Sequence, residues 1–221
     1  MPATASAPAG ARLVLATHNR KKLVELLAIL RTRPGLDTLP DEAVVTAGDL
    51  GAPEPVEDGV TFAENALIKA RALAAASGLP AVADDSGLSV DVLGGAPGIF
   101  SARWAGRHGD DTANLGLLLA QLGDVRDEHR GAAFVCAAAL VTPDGHEEVA
   151  LGEMPGVLVR SPRGDGGFGY DPILVPAEQP PGPDGSPGTR TSAELSADEK
   201  NAISHRGKAL RTLAPAVAAA L

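Results

Sequence analysis

Residues 81–88 read Ala-Val-Ala-Asp-Asp-Ser-Gly-Leu, an apolar strand that ends on two adjacent carboxylates, Asp84 and Asp85, a hydroxyl at Ser86 and a glycine. Carboxylates at the end of a buried strand are costly unless a cation meets them. A hard divalent ion is the usual partner, and Mg2+ combines one or two carboxylates with substrate phosphates. The segment therefore points to metal-dependent chemistry on a phosphate compound. Its plain alternative is a strand end followed by an Asp-Ser-Gly turn.

Two basic clusters could serve the same chemistry. Thr17-His18-Asn19-Arg20-Lys21-Lys22 lies between a strand and a helix. Orphan amides at a helix start attract anions, and flanking cations add to that pull. Thr17 and Asn19 can donate hydrogen bonds, and Lys21 or Lys22 can sit on a phosphate. The Gly-rich stretch and Gly-Lys-Ser/Thr ending of a Walker A loop are missing. In the second cluster, Lys200 precedes Ser204-His205-Arg206, and two cations just after a helix cap oppose the helix dipole. An anion or a carbonyl-bearing ligand there would explain them; the bland alternative is an exposed basic turn.

Residues 164–169 match GxGxxG, yet the sequel Tyr170-Asp171-Pro172-Ile173-Leu174-Val175 is a turn into a strand. A dinucleotide fingerprint opens a helix, so that reading is rejected. The glycines still allow close approach to a ligand. Phe168 and Tyr170 are two of only six aromatic residues, and either can stack on a base. A Ser-His-Asp hydrolase finds no support, because Gly-x-Ser-x-Gly is absent.

These residues need elements to hold them. Residues 11–16 form a first strand, followed by a helix whose apolar face is Leu23, Leu26, Leu27 and Leu30. Val44-Val45 marks a second strand, and residues 48–59 form a loop carrying Glu54 and Glu57. Thr61 and Glu64 have capping-box spacing and open a helix to about Ser77. The Asp-Asp strand follows, then a separate short strand through Leu88, Val90 and Val92. Residues 110–122 form a third helix. Residues 134–141 and 147–151 form a hairpin, and 157–159 extend that sheet. A short strand over 171–175 precedes a mobile Pro/Gly-rich loop at 176–190. Ser196 and Glu199 make a second capping box, and Ser204 caps a last helix that Pro215 should kink or break. The mixture predicts an α/β fold with two lobes and a cleft between them.

Composition sets limits. With 221 residues, the chain holds one sizeable domain or two small lobes. Hydrophobic residues reach 44% but aromatics only 3%, so Ala, Val and Leu must build the core. A net charge of −9 without a basic stripe disfavours duplex nucleic acid. The single cysteine, Cys136, excludes an intrachain disulfide and a CxxC-type zinc site; in its apolar strand it reads as a core residue. No apolar run reaches membrane-spanning length. Residues 1–10 lack a signal pattern. The expectation is a disordered tail at 1–10, one domain over 11–221, a cytoplasmic location and no membrane partner.

Four segments, spread over almost the whole chain, carry a resemblance. They are Leu-Ala-Thr-His-Asn-Arg-Lys-Lys at 15–22, Thr-Phe-Ala-Glu-Asn-Ala-Leu-Ile-Lys-Ala at 61–70, Ala-Asp-Asp-Ser-Gly-Leu at 83–88 with Leu-Gly-Gly-Ala-Pro-Gly-Ile-Phe-Ser-Ala-Arg at 93–103, and Gly-Phe-Gly-Tyr-Asp-Pro at 167–172 with Glu-Lys-Asn-Ala-Ile-Ser-His-Arg at 199–206. Each alone is weak; all four in this order closely resemble the inosine triphosphate pyrophosphatase family, the XTP/dITP diphosphatases. The resemblance implies a homodimeric α/β enzyme with a long central mixed sheet flanked by helices and its active site between two lobes. It implies Mg2+-dependent cleavage of ITP, dITP and XTP to the monophosphate and pyrophosphate, cleansing the nucleotide pool.

Carried over by motif, Thr17, His18, Asn19, Arg20, Lys21 and Lys22 should bind the triphosphate. Asp85 should be general base and metal ligand, Glu54 the other metal carboxylate, and Ser86 a substrate contact. Phe168, Gly169, Tyr170 and Asp171 should line the base pocket, with Phe168 stacking, and Lys200, His205 and Arg206 should complete the nucleotide site. His18 stands where the family has glycine, Arg20-Lys21 replaces a smaller pair, and the 176–190 insertion lengthens a loop near the base pocket. Two rivals are a Maf-type pyrophosphatase, whose N-terminal loop is Ser/Arg-rich, and a non-catalytic nucleotide sensor, which would need no Asp85.

Overall fold

Apolar alternation gives three strands two buried faces each. β1 (Leu13–Leu15) points Leu13 and Leu15 one way and Val14 the other. β3 (Ala81–Val90) likewise divides Val82 from Ala81 and Ala83, and β4 (Gly131–Val141) divides Cys136, Ala138 and Leu140 from Ala137 and Ala139. The first set packs with α1 (Arg20–Leu30) through Leu23, Leu26, Leu27 and Leu30, and with α5 (His205–Ala220) through Leu210, Leu213 and Val217. The second set packs with α2 (Phe62–Ser77) through Ala66, Ala70, Leu73 and Ala74. The computed structural model describes residues 7–17, 20–181, 185 and 188–221, apart from the Lys21 side chain. Most of the tail expected at 1–10 therefore lies outside the described residues.

With β2 (Val44–Thr46), β5 (Glu147–Leu158) and β6 (Leu174–Pro176), the strands form one six-stranded sheet in the order β2-β1-β3-β4-β5-β6. β1 is parallel to both β2 and β3, and β5 is antiparallel to β6, so the sheet is mixed as expected. The remaining helices are α3 (Asp111–Gln121) and α4 (Ala197–Ile203). The chain divides into two compact units. One comprises Met1–Asp85, Cys136–Leu151 and Lys208–Leu221, and contains both cores above. The other comprises Ser86–Val135 and Gly152–Gly207, with its own core of Leu88, Val90, Leu118, Met154, Ile173 and Leu174 among others.

Four elements differ from the sequence expectation, the first being β6, which starts only at Leu174 after a turn over 171–173. β3 is one strand through the Asp-Asp-Ser-Gly run, not two. Ser86 and Gly87 stay extended, the Leu88 amide donates to Ser101 Oγ at 2.9 Å, and only Val92 turns away, in a 3-10 turn over Asp91–Leu93. β5 is also continuous through residues 152–158. Gly156 makes its pairing with β6 feasible, since a Cβ there would lie 2.2 Å from the Val175 carbonyl oxygen. Finally, α5 runs through Pro215. Proline removes the amide that would bond four residues back, at Arg211. The Arg33 guanidinium donates to that carbonyl at 2.7 Å and replaces the missing bond.

Candidate functional site

In the first unit, β1 stops at Leu15, whose register partner is Val82, so β3 outruns β1 and reaches Asp84 and Asp85 beyond the last paired residues. Alternation sends the two carboxylates to opposite faces. Asp84, 6% exposed, meets Lys22 of α1, whose ammonium lies 3.1 Å from both carboxylate oxygens. Asp85 faces α2. There Asn65 donates its side-chain amide to Asp85 Oδ2 at 3.1 Å, and the Lys69 ammonium lies 3.5 Å from Oδ1. Asn65 and Lys69 are four residues apart and share one helix face.

The local sequence fixes these donors. The Thr61 hydroxyl caps α2 by accepting from the Glu64 amide at 3.1 Å. The Gly59 amide donates to Asn65 Oδ1 at 2.9 Å, and a Cβ on Gly59 would crowd that oxygen to 2.7 Å. Lys69 also reaches Glu57 Oε1 at 3.3 Å. Arg20 donates to Asp49 Oδ1 at 3.1 Å. The Asp49 carboxyl is held below its ordinary range, first by the backbone and hydroxyl hydrogen bonds of Thr46 and less by Arg20.

A cavity of about 910 Å3 opens in this unit, and its polar wall includes Thr17, Arg20, Lys22, Glu54, Glu57, Lys69 and Asp84. Cations beside hard oxygen donors suit a polyphosphate and a divalent metal. Among the described residues, no group of three or more His, Cys, Asp and Glu side chains is placed to hold a metal ion. Mg2+ needs only one or two carboxylates when phosphates and water supply the rest. The Glu57–Asp85 pair fits that requirement, because both carboxylates already reach one cation, the Lys69 ammonium. Glu54 lines the same cavity. His18 and Asn19, and the Lys21 side chain, lie outside the described residues.

The second unit holds the other expected residues. Phe168 is 73% exposed, and the Lys200 ammonium sits 5.3 Å from its ring centroid. Its loop is held from several sides. Asp171, 2% exposed, accepts at Oδ2 from the Phe168 amide at 2.9 Å and from Lys200 at 2.5 Å. The Gly169 amide donates to Asp111 Oδ2 of α3 at 2.9 Å. Gly167 has φ +74°, and a Cβ there would meet Asp171 Oδ2 at 2.1 Å, so glycine is required twice over. No helix follows the Gly-rich run, in accord with the rejected dinucleotide reading.

Tyr170 is an anchor in this unit rather than an open surface. It is buried and donates its hydroxyl to the Ser101 carbonyl at 2.9 Å; burial, then the Asp111 charge, pushes its pKa up. His205 stacks on Phe134 with ring centroids 5.2 Å apart and planes 18° from parallel, at the start of α5 where Arg206 follows. Ser204 caps that helix, accepting from the Gly207 amide at 3.0 Å. Ser86 Oγ is buried and makes no hydrogen bond to the described residues, which is unusual for a hydroxyl away from a ligand. The 176–190 insertion ends on Arg190, which grips Glu199 of α4 with two bonds of 3.1 and 2.9 Å.

The structure thus groups Thr17, Arg20, Lys22 and Glu54 around one cavity, sets Asp85 beside Lys69 of its wall, and separately groups Phe168, Asp171 and Lys200. Sequence reasoning assigned no role to Asn65, Glu57, Lys69, Asp111 or Phe134. Asn65 and Lys69 carried a usable signal: helical spacing inside the 61–70 segment, immediately before the acidic strand. Glu57 sits in a loop with no period to mark it.

Comparison with known proteins places the chain among relatives along nearly its whole length. The Ham1 family model matches residues 13–216. A protein of Streptomyces coelicolor named dITP/XTP pyrophosphatase is 62% identical over 206 residues, covering 93% of this chain and 96% of its own length. A Corynebacterium efficiens protein of the same name is 56% identical over 209 residues, covering 94% and 97%. Among solved structures, the nucleoside-triphosphatase / dITP/XTP pyrophosphatase of Mycobacterium abscessus is 50% identical, with TM-score 0.72 and coverage of 92% of this chain and 99% of that one. A Ham1 protein of Coxiella burnetii is 39% identical, with TM-score 0.79, covering 95% and 100%.

Proposed function

The chain belongs to the Ham1 family, and we propose that it hydrolyses non-standard purine nucleoside triphosphates, dITP, XTP and ITP, to the monophosphate and pyrophosphate. The observation that carries this reading is the cavity of the first unit, where Lys22 and Lys69 stand beside Asp84, Asp85 and Glu57. A polyphosphate needs the cations, and an activated water needs the carboxylates. The name shared by the relatives supports the choice of dITP and XTP.

Asp85 would take the proton of the attacking water, with Asn65 fixing one of its oxygens so that the other keeps its direction. Water oxygen bonds to the α-phosphorus, the bridging α–β bond breaks, and pyrophosphate leaves with the electron pair. Lys22 and Arg20 would stabilise the charge that develops on the departing oxygens. Mg2+ would be held by Asp85 with Glu57 or Glu54, and when bound it neutralises phosphate charge and acidifies water. Phe168 would stack on the base, with Lys200, His205 and Arg206 near the nucleotide and Ser86 as a hydroxyl donor. Buried donors that match a 6-keto group would be left unpaired by the amino group of adenine, at about 1–3 kcal/mol each.

We assign the chain a pool-cleansing role, a homodimeric state and a cytoplasmic location. Among the described residues, no helix is long and apolar enough to cross a membrane. Light scattering after size exclusion should give twice the chain mass of 22.3 kDa; the single-chain mass would remove the dimer. The reaction itself is tested by phosphorus NMR of the products. The monophosphate with pyrophosphate is expected, whereas the diphosphate with inorganic phosphate would overturn the assigned bond cleavage.

A further inference from the structure

Glu57 and Asp85 share a single cation in the first unit. The Lys69 ammonium lies 3.3 Å from Glu57 Oε1 and 3.5 Å from Asp85 Oδ1, and the Lys69 and Asp85 side chains are each only 16% exposed. Asn65 occupies the other Asp85 oxygen, and Gly59 in turn fixes Asn65. Lys22 is arranged differently, with both Asp84 oxygens on its one ammonium. Lys69 is therefore the cation that stands where a divalent ion would bridge two carboxylates.

We infer that Lys69 is the resident counter-cation of the Glu57–Asp85 pair, and that a divalent ion gains the pair only as a polyphosphate draws the ammonium away. This inference rests on the polyphosphate reading above. Two carboxylates at one partly buried point repel each other and need a cation. The ammonium supplies it, and a divalent ion entering the same space would be repelled by it at close range. Lysine is a point charge on a flexible four-carbon stem, so its head can swing into the cavity that it already lines. Phosphate oxygens there offer it new partners.

Metal and polyphosphate are then thermodynamically coupled. Each raises the affinity of the other by one common factor, since linkage is reciprocal. A free divalent ion has to compete with Lys69, whereas an ion arriving with polyphosphate does not. The carboxylates exchange one cation for another only when a polyphosphate is present, which keeps Asp85 engaged with Lys69 in its absence.

The test uses Mn2+ as the probe, with calorimetry and the electron paramagnetic resonance of the free ion, on the full chain without nucleotide. Lys69→Met should bind Mn2+ about tenfold more tightly than the unaltered chain, since one competing charge is gone. Inorganic pyrophosphate, with its solution complex of Mn2+ subtracted, should raise the Mn2+ affinity of the unaltered chain by a clearly larger factor than that of Lys69→Met, where only the phosphate ligands themselves contribute. Lys69→Gln serves as a second variant if the methionine chain fails to fold by circular dichroism. Variants that fold yet bind Mn2+ no more tightly than the unaltered chain would overturn the inference. If the unaltered chain releases no pyrophosphate from dITP while the Mn2+ gain appears, the substrate reading falls and the cation exchange stands.

Discussion

Both oxygens of the Asp85 carboxylate are engaged, one by Asn65 and one by Lys69, and its neighbour Asp84 holds Lys22 on the opposite face of β3. Asp85→Asn keeps the side-chain shape and at most one of the two contacts, since one accepting oxygen becomes an NH2 donor, and it removes the proton acceptor. Turnover of dITP should fall by about 100-fold or more while circular dichroism remains that of the folded chain, and near-normal turnover would take Asp85 out of the chemistry. Lys22→Met acts on stability as well, because it removes the ammonium that holds both oxygens of a carboxylate that is 6% exposed. A loss of about 1–3 kcal/mol should appear in the urea midpoint; an unshifted midpoint would mean that Asp84 finds another partner. Phe168 is 73% exposed, so Phe168→Ala should leave stability alone. Its KM for a purine triphosphate should rise about tenfold, in line with base–aromatic stacking, and an unaltered KM would remove Phe168 from the base subsite. The acidic pair and the basic clusters were legible because charge at a strand end or a helix start is physically unusual. Which way each carboxylate points was legible only in part: alternation separates Asp84 from Asp85, but the helix that each faces depends on packing.

At the scale of elements, capping and periodicity carried most of the legible information. Thr61 with Glu64 and Ser196 with Glu199 mark the starts of α2 and α4; the Ser196 box closes both ways, whereas at α2 the Thr61 hydroxyl caps and Glu64 accepts from the Val60 amide instead. Thr61→Ala should cost about 1 kcal/mol, and because α2 carries Asn65 and Lys69, kcat should fall with it. The link between the 176–190 insertion and α4 responds to acid. Arg190 first, and Ser196 next, lower the Glu199 pKa from 4.5 to about 2. The folded value is the depressed one, so this contribution to stability is complete above pH 4.5 and is lost as pH falls toward 2. Glu199→Gln should flatten the fall of the urea midpoint over that window, and an identical slope would show that the pair contributes nothing. The misjudged elements have physical causes outside their own segments. Ser101, distant in sequence, helps to keep β3 extended at Leu88, and Arg33 supplies the bond that Pro215 takes from α5. Pairing of β5 at Gly156 likewise depends on β6. Local propensity carries none of these signals.

For the whole molecule, four separated segments in one order identified the family that the Ham1 match and the solved relatives then established. The sheet order and the mixed strand directions agree with the α/β expectation. Glu57 was assigned no role because its meaning arises only when the 48–59 loop folds beside α2, a long-range outcome without a sequence period. Every role proposed for the site depends on whether this chain is a metal-dependent pyrophosphatase that prefers dITP and XTP to dATP. The measurement that tests it most directly is the initial rate of pyrophosphate release from dITP, XTP, dATP and dGTP, each with Mg2+ and with EDTA. Rapid release from dITP and XTP, about 10- to 100-fold slower release from dATP, and loss of all release in EDTA are predicted. Equal rates on all four would contradict the base selectivity, undiminished release in EDTA would contradict the metal dependence, and no release from any would contradict the enzyme itself.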